Sequence, residues 1–192
     1  MARLPVSPSH RSLKSPRSAR GFTLHEMLIT LLVAGVLSSA SAGVYAMLQE
    51  NHKTVAANEL VAHLNLARSE AIKRRAHVRI CASKDQSTCV EPDADFAHWQ
   101  YGWLIYADAN DNGEPEPAEI IRVQPSLGSG FVIRTARSRN EITYQPMGTS
   151  AGSPATFAVC DARGPKYARY VTISNTGRAR ISRTTTSNVR CT

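Results

Sequence analysis

The sequence predicts an α+β chain: one long N-terminal helix, transmembrane over its first half, packed on an antiparallel β-rich C-terminal domain. Three observations carry this expectation. Met27 to Gln49 runs 23 residues without a charge, enough at about 1.5 Å per residue to cross a hydrocarbon core of about 30 Å. Glu50 to Arg75 continues in helix formers with neither Gly nor Pro. Beyond Ala76 the texture changes to short apolar or alternating runs broken by turn residues, too closely spaced for βαβ crossovers.

At 192 residues and 42% hydrophobic content the chain fits one modest domain plus accessory segments. Its formal charge of +8 is unevenly spread. Residues 1–21 hold Arg3, Arg11, Lys14, Arg17 and Arg20 and no acid. This basic leader is expected to stay cytoplasmic, which places the C-terminal domain across an inner membrane, in the periplasm. Two ordinary readings compete: a plain signal-anchor, or a secretory signal peptide cut after Ala42 in Ala40-Ser41-Ala42. Glu26 argues against both, because a carboxylate near the membrane is costly and neither needs one.

Gly21-Phe22-Thr23-Leu24-His25-Glu26, followed by the apolar run, resembles the processing site of type IV prepilins and pseudopilins. The resemblance implies that a prepilin peptidase cuts after Gly21 and methylates the new amino terminus, Phe22. It implies too that Glu26 meets the amino terminus of a neighbouring subunit during assembly. Such a buried pair is a register device more than a source of stability. His25 departs from the family pattern, where that slot is usually apolar. The expected organisation is thus a cleaved leader over 1–21, a transmembrane and filament-core helix over 22–49, an amphipathic continuation over 50–76 and a β-rich head over 77–192.

In the continuation, Leu60, Leu64, Ala67 and Ala71 fall on one helical face, which should pack on a sheet. Lys53, Glu59, Arg68, Glu70, Lys73 and Arg74 are expected to supply polar surface. His52 and His63 share a face about 16 Å apart, too far for one metal, and are expected at the surface. Strands are predicted at 77–81, 99–106, 119–124, 131–135, 141–145, 155–160, 169–174 and 178–183. Four cysteines allow three pairings in an oxidising compartment; Cys81 with Cys89 and Cys160 with Cys191 is favoured. The second bridge would close a 31-residue segment, worth about 3 to 4 kcal/mol on the loop-entropy account. The spacings hold no C-x-x-C pair, which disfavours zinc.

Between Glu91 and Glu119 the chain carries eight acids, Asp93 and Asp95 among them, and no Lys or Arg. Within it, Asp108, Asn110, Asn112, Gly113 and Glu119 satisfy the pattern D-x-[DN]-x-[DN]-G-x5-E of a calcium loop. The flanks read as strands, though, and Pro115 and Pro117 stiffen the half that would wrap an ion. A hairpin loop held by Asx turns accounts for the same residues, so calcium is the lesser reading. Trp99, Tyr101 and Trp103 alternate as if on one strand face, a stripe better suited to packing than to stacking bases in so acidic a segment.

From Cys160 to Thr192 seven bases face one acid, Asp161. Arg169–Ser174 and Arg178–Arg183 flank the turn sequence Asn175-Thr176-Gly177 and read as a hairpin. Arg178 and Arg180 share a strand face about 6 to 7 Å apart, near the spacing of successive phosphates. Arg163, Lys166, Arg169, Arg183 and Arg190 would widen the patch; a solvated edge strand kept soluble by charge is the competing reading. The cysteine placement, the GWLIY-x-D-x-N-x-N-G stretch and Gly177-Arg178-Ala179-Arg180 resemble the GspH/FimT family of type IV minor pilins and type II secretion pseudopilins, and the likeness implies the type IV pilin-like fold.

That resemblance implies, for its G-R-x-R branch, that Arg178 and Arg180 contact phosphates of double-stranded DNA without reading sequence, in natural transformation. Lys166 and Arg183 join them only on the charge argument. The implied partners are other pilin or pseudopilin subunits, the prepilin peptidase and the inner membrane, and the implied place is the filament tip. The alternative is a secretion pseudopilin or a pilus-priming subunit that does not bind DNA. An enzyme is not expected: the chain has no metal-ligand pair, no G-x-S-x-G and no P-loop. No cofactor is implied.

Overall fold

The computed structural model describes residues 21–91, 98–136, 139–185, 189 and 191, without the side chains of 40–43, 45, 46 and 49. The leader before Gly21, Asp93, Asp95 and Arg190 lie outside the described residues. By its contacts the chain divides into two compact units, Met1–Gly43 and Val44–Thr192.

Helix α1 runs unbroken over Leu24–Arg74, 51 residues. Thr23 caps it: its Oγ1 accepts the Glu26 amide at 3.3 Å, and its carbonyl accepts that of Met27 at 3.1 Å. At the other end Arg75 takes a left-handed turn (φ 54°), and Lys73 and Arg74 sit against the carbonyl end while pairing with Glu70. In the first unit Phe22, Leu24, Leu28, Leu31 and Leu37 are exposed. Thr30, Ser38 and Ser39 donate to backbone carbonyls three or four residues earlier. Among the described residues, no helix is long and apolar enough to cross a membrane. The expected 22–49 segment is helical from Leu24.

Among the described residues eight strands follow: β1 (His77–Ala82), β2 (Trp103–Asp108), β3 (Ile120–Gln124), β4 (Phe131–Arg134), β5 (Glu141–Tyr144), β6 (Ala155–Asp161), β7 (Arg169–Ile173) and β8 (Ala179–Ser182). They form two four-stranded sheets, ordered β3-β2-β1-β5 and β4-β6-β7-β8, with every pairing antiparallel. Leu60, Leu64, Ala67 and Ala71 are fully buried, as their spacing predicts. They share one core with Val78, Ile80, Trp103 and Ile105 of the first sheet and with Phe157, Val159, Val171 and Ile173 of the second. Cys81–Cys89 and Cys160–Cys191 are both bridged, the favoured pairing. Val189 is buried against Ala158, Cys160 and Tyr170 beside the second bridge.

Four expectations are corrected. Trp99–Tyr101 is a 3-10 turn, not the start of a strand, because Gly102 (φ 123°) redirects the chain before β2. Trp99 and Trp103 are buried while Tyr101 is half exposed, so the three aromatics make no continuous stripe; Trp99 instead packs edge-on to Phe157 at 4.9 Å. His63 is buried, and its Nδ1 accepts the Trp103 indole N–H at 3.1 Å. Burial holds its pKa below the usual imidazole value. Lys53 is fully buried rather than at the surface. His52 is exposed.

Candidate functional site

The β7–β8 hairpin turns through Ser174–Gly177, closed by Gly177 N–H to the Ser174 carbonyl at 2.8 Å. Gly177 sits at φ 76°, the left-handed position a short hairpin requires. A Cβ there would lie 2.2 Å from the Gly148 carbonyl oxygen. Ser150 fastens the turn from the side, its amide donating to the Asn175 carbonyl at 3.0 Å and its hydroxyl to the Ser174 carbonyl at 2.8 Å. The Gly148 carbonyl is in turn held by Arg68 Nε of α1 at 2.9 Å.

This seating presents Arg178 and Arg180 to solvent; Arg180 pairs in register with Thr172, which is also exposed. Lys166 and Arg183 are exposed as well. None of these four side chains has a hydrogen-bond or ion-pair partner among the described residues. Arg163 and Arg169 are different. Arg169 Nη2 donates to Glu50 Oε1 at 2.6 Å, and Arg163 Nη2 reaches Glu50 Oε2 at 3.0 Å and Asp161 Oδ2 at 2.7 Å. Lys53 Nζ completes the network with Asp161 and Glu50, each at 3.2 Å, and with the Tyr167 carbonyl. Of the seven C-terminal bases, two are therefore structural, and the sequence grouping mixed two kinds of arginine. Glu50 and Lys53 were not singled out as a pair; their i,i+3 spacing and the lone acid Asp161 among seven bases were the available signals.

The hydrogen bond from Arg169, with Lys53 and Arg163 behind it, holds the Glu50 carboxyl near pKa 2, below its ordinary 4.5. Burial pushes the Asp161 carboxyl up, but hydrogen bonds from Arg163 and Lys53 outweigh it and leave it below the usual range. A carboxylate depressed on folding stabilises the fold fully above its unfolded pKa and loses that contribution as pH falls through the folded value. Acid titration of stability should thus show a steep loss between about pH 4.5 and 2. Glu50→Gln should flatten that segment of the curve, and an unchanged curve would remove Glu50 from the account.

The Asp108 loop is organised around a side-chain cation. Both Asp108 oxygens accept loop amides, from Asn112 at 3.0 Å and Gly113 at 3.1 Å, while Arg79 Nε lies 2.6 Å from Oδ2. Arg79 also pairs with Glu141 at 2.7 Å and Asp111 at 3.4 Å. Asn110 and Asn112 make Asx turns and bond Glu116 through their amides, and Glu119 Oε1 accepts the Ala109 amide. Among the described residues no three His, Cys, Asp or Glu side chains converge to hold a metal ion. At the amino end, Gly21, Phe22 and Glu26 are all exposed.

A family model described as Type II transport protein GspH matches residues 56–177, and one for the prokaryotic N-terminal methylation motif matches residues 16–42. Two crystal structures of the type IV minor pilin FimU from Pseudomonas aeruginosa (strain PAO1) are similar. One is 26% identical over 69% of this chain and 89% of that one, with a TM-score of 0.53; the other is 27% identical over 67% and 91%, with a TM-score of 0.52. Comparison with curated proteins gives no match. A long helix packed on antiparallel sheets is the type IV pilin fold. With the family model covering well over half its length, the chain belongs to the GspH family of type IV minor pilins and type II secretion pseudopilins, filament subunits rather than enzymes.

Proposed function

We propose that this chain is an inner-membrane-anchored minor pilin, cut after Gly21 and methylated at Phe22, whose C-terminal hairpin binds double-stranded DNA without sequence preference for uptake. The observation that carries the DNA reading is the contrast among the arginines: Arg178 and Arg180 are exposed and unpartnered among the described residues, whereas Arg163 and Arg169 are engaged by carboxylates. Guanidinium groups left free on a rigid hairpin suit phosphate oxygens. The methylation-motif match spans the proposed cut, and FimU is itself a type IV minor pilin. Glu26 would then serve assembly by pairing with a neighbour's amino terminus, with the head in the periplasm and the assembled subunit at the filament tip. A secretion pseudopilin without DNA binding is the second reading, favoured by the family model's own description.

The test is the affinity of the full chain, in nonionic detergent, for duplex DNA across a salt series. Wild type should bind with a negative slope of log affinity against log salt. Changing Arg178 and Arg180 together to Gln should weaken binding at least about tenfold and lower the slope by roughly 2, with the melting temperature unchanged. Equal slopes in the two proteins would leave the secretion reading.

A further inference from the structure

Beside the hairpin, but separate from Arg178 and Arg180, a cavity of about 320 Å³ is bounded by Glu50, Arg163, Lys166, Tyr167, Arg169 and Arg183. Its charges do not balance. With Lys53 and Asp161 in the wall behind, five cations meet two carboxylates. Arg163 is held in place on three sides, by Asp161, by Glu50 and by the Tyr167 ring, whose centroid is 4.9 Å from its Cζ. Arg169 is fixed by Glu50. Within this rigid frame the Glu50 carboxylate already occupies the place of one oxyanion, gripped by two guanidinium groups. Lys166 and Arg183 add two cations that nothing among the described residues neutralises.

A concave wall with surplus positive charge focuses the field on whatever anion enters it. Planar guanidinium forks favour a tetrahedral oxyanion with several acceptor oxygens over chloride. A recess of this size admits an end group, whereas a duplex presents its phosphates along a ridge and is met better by an open strand edge. We infer that this cavity is a binding site for a phosphate-class anion, inorganic phosphate or the phosphate of a small ester such as a lipid headgroup, with Lys166 and Arg183 as its capturing cations. The inference stands whether or not the hairpin binds DNA.

Isothermal titration of the full chain in nonionic detergent, at constant ionic strength in chloride, tests it with two probes: inorganic phosphate and glycerophosphoglycerol, the water-soluble headgroup of phosphatidylglycerol. Saturable binding in roughly the millimolar range or tighter is expected for at least one. The tighter probe identifies the source, a free anion or a lipid headgroup, and either supports the site. Changing Lys166 and Arg183 together to Gln should weaken binding about tenfold or more, while R178Q/R180Q leaves it unchanged. Lys166→Gln alone, an exposed position, provides a weaker version of the same loss should the double variant be unstable. Absence of binding by both probes, or binding that survives K166Q/R183Q, overturns the proposal. Absence of DNA binding by the wild-type chain, with phosphate binding intact, would sink only the DNA reading.

Discussion

Lys53→Ala should destabilise the Val44–Thr192 unit by about 3 kcal/mol, read as a lowered urea midpoint at constant slope. The ammonium group is fully buried, with a 1% exposed Asp161 carboxylate at 3.2 Å. Removing it strands much of that buried negative charge, because Arg163 alone then offsets Asp161 while also serving Glu50. It also opens space beneath the Tyr167 carbonyl, which loses its donor. Lys53→Met, which keeps the bulk and deletes the charge, separates the two contributions: a similar loss assigns the effect to the stranded carboxylate, and near-wild-type stability assigns it to the cavity. A loss below about 1 kcal/mol in both would show that the ammonium is solvated after all.

Gly177→Ala is the second large effect, about 2 to 4 kcal/mol, from left-handed backbone strain plus a forced displacement of the turn. The added methyl meets the Gly148 carbonyl oxygen at 2.2 Å, and that oxygen is backbone already bonded to Arg68, so it has little freedom to retreat. The consequence reaches the proposed interface, since Arg178 follows directly. Thermal melting should register the lost stability. DNA titration on the surviving fold should show weakened binding with the salt slope nearly kept, because the cations remain and only their placement changes. Full affinity in a destabilised variant would mean that the hairpin geometry is not used.

Much of the head was legible because its signals are local. Strand edges are marked by alternation and turn residues, the Asn175-Thr176-Gly177 turn names its own hairpin, and the Leu60, Leu64, Ala67, Ala71 face needs only helical periodicity. What escaped depends on partners brought in from far along the chain. His63 looks like a surface residue until Trp103, 40 residues away, supplies its donor. Lys53 looks solvated until the Tyr167 carbonyl, 114 residues on, closes over it beside Asp161. The same contacts divide the C-terminal arginines into engaged and free, a distinction that charge counting does not make. The 3-10 turn at Trp99 was hidden by an aromatic run that mimics a strand, with Gly102 as the one residue that betrays the bend.

The chain of contacts from Arg68 through Gly148 to Gly177 has a mechanical meaning within the Val44–Thr192 unit. A pull on the helix reaches the arginine hairpin through two short links, a guanidinium-to-carbonyl bond and a glycine seated against that carbonyl, with Ser150 clamping the turn beside them. Tension thus bypasses the intervening loops and six strands. Whatever the hairpin holds is tied directly to the helical stretch around Arg68, not dangled from a compliant tether.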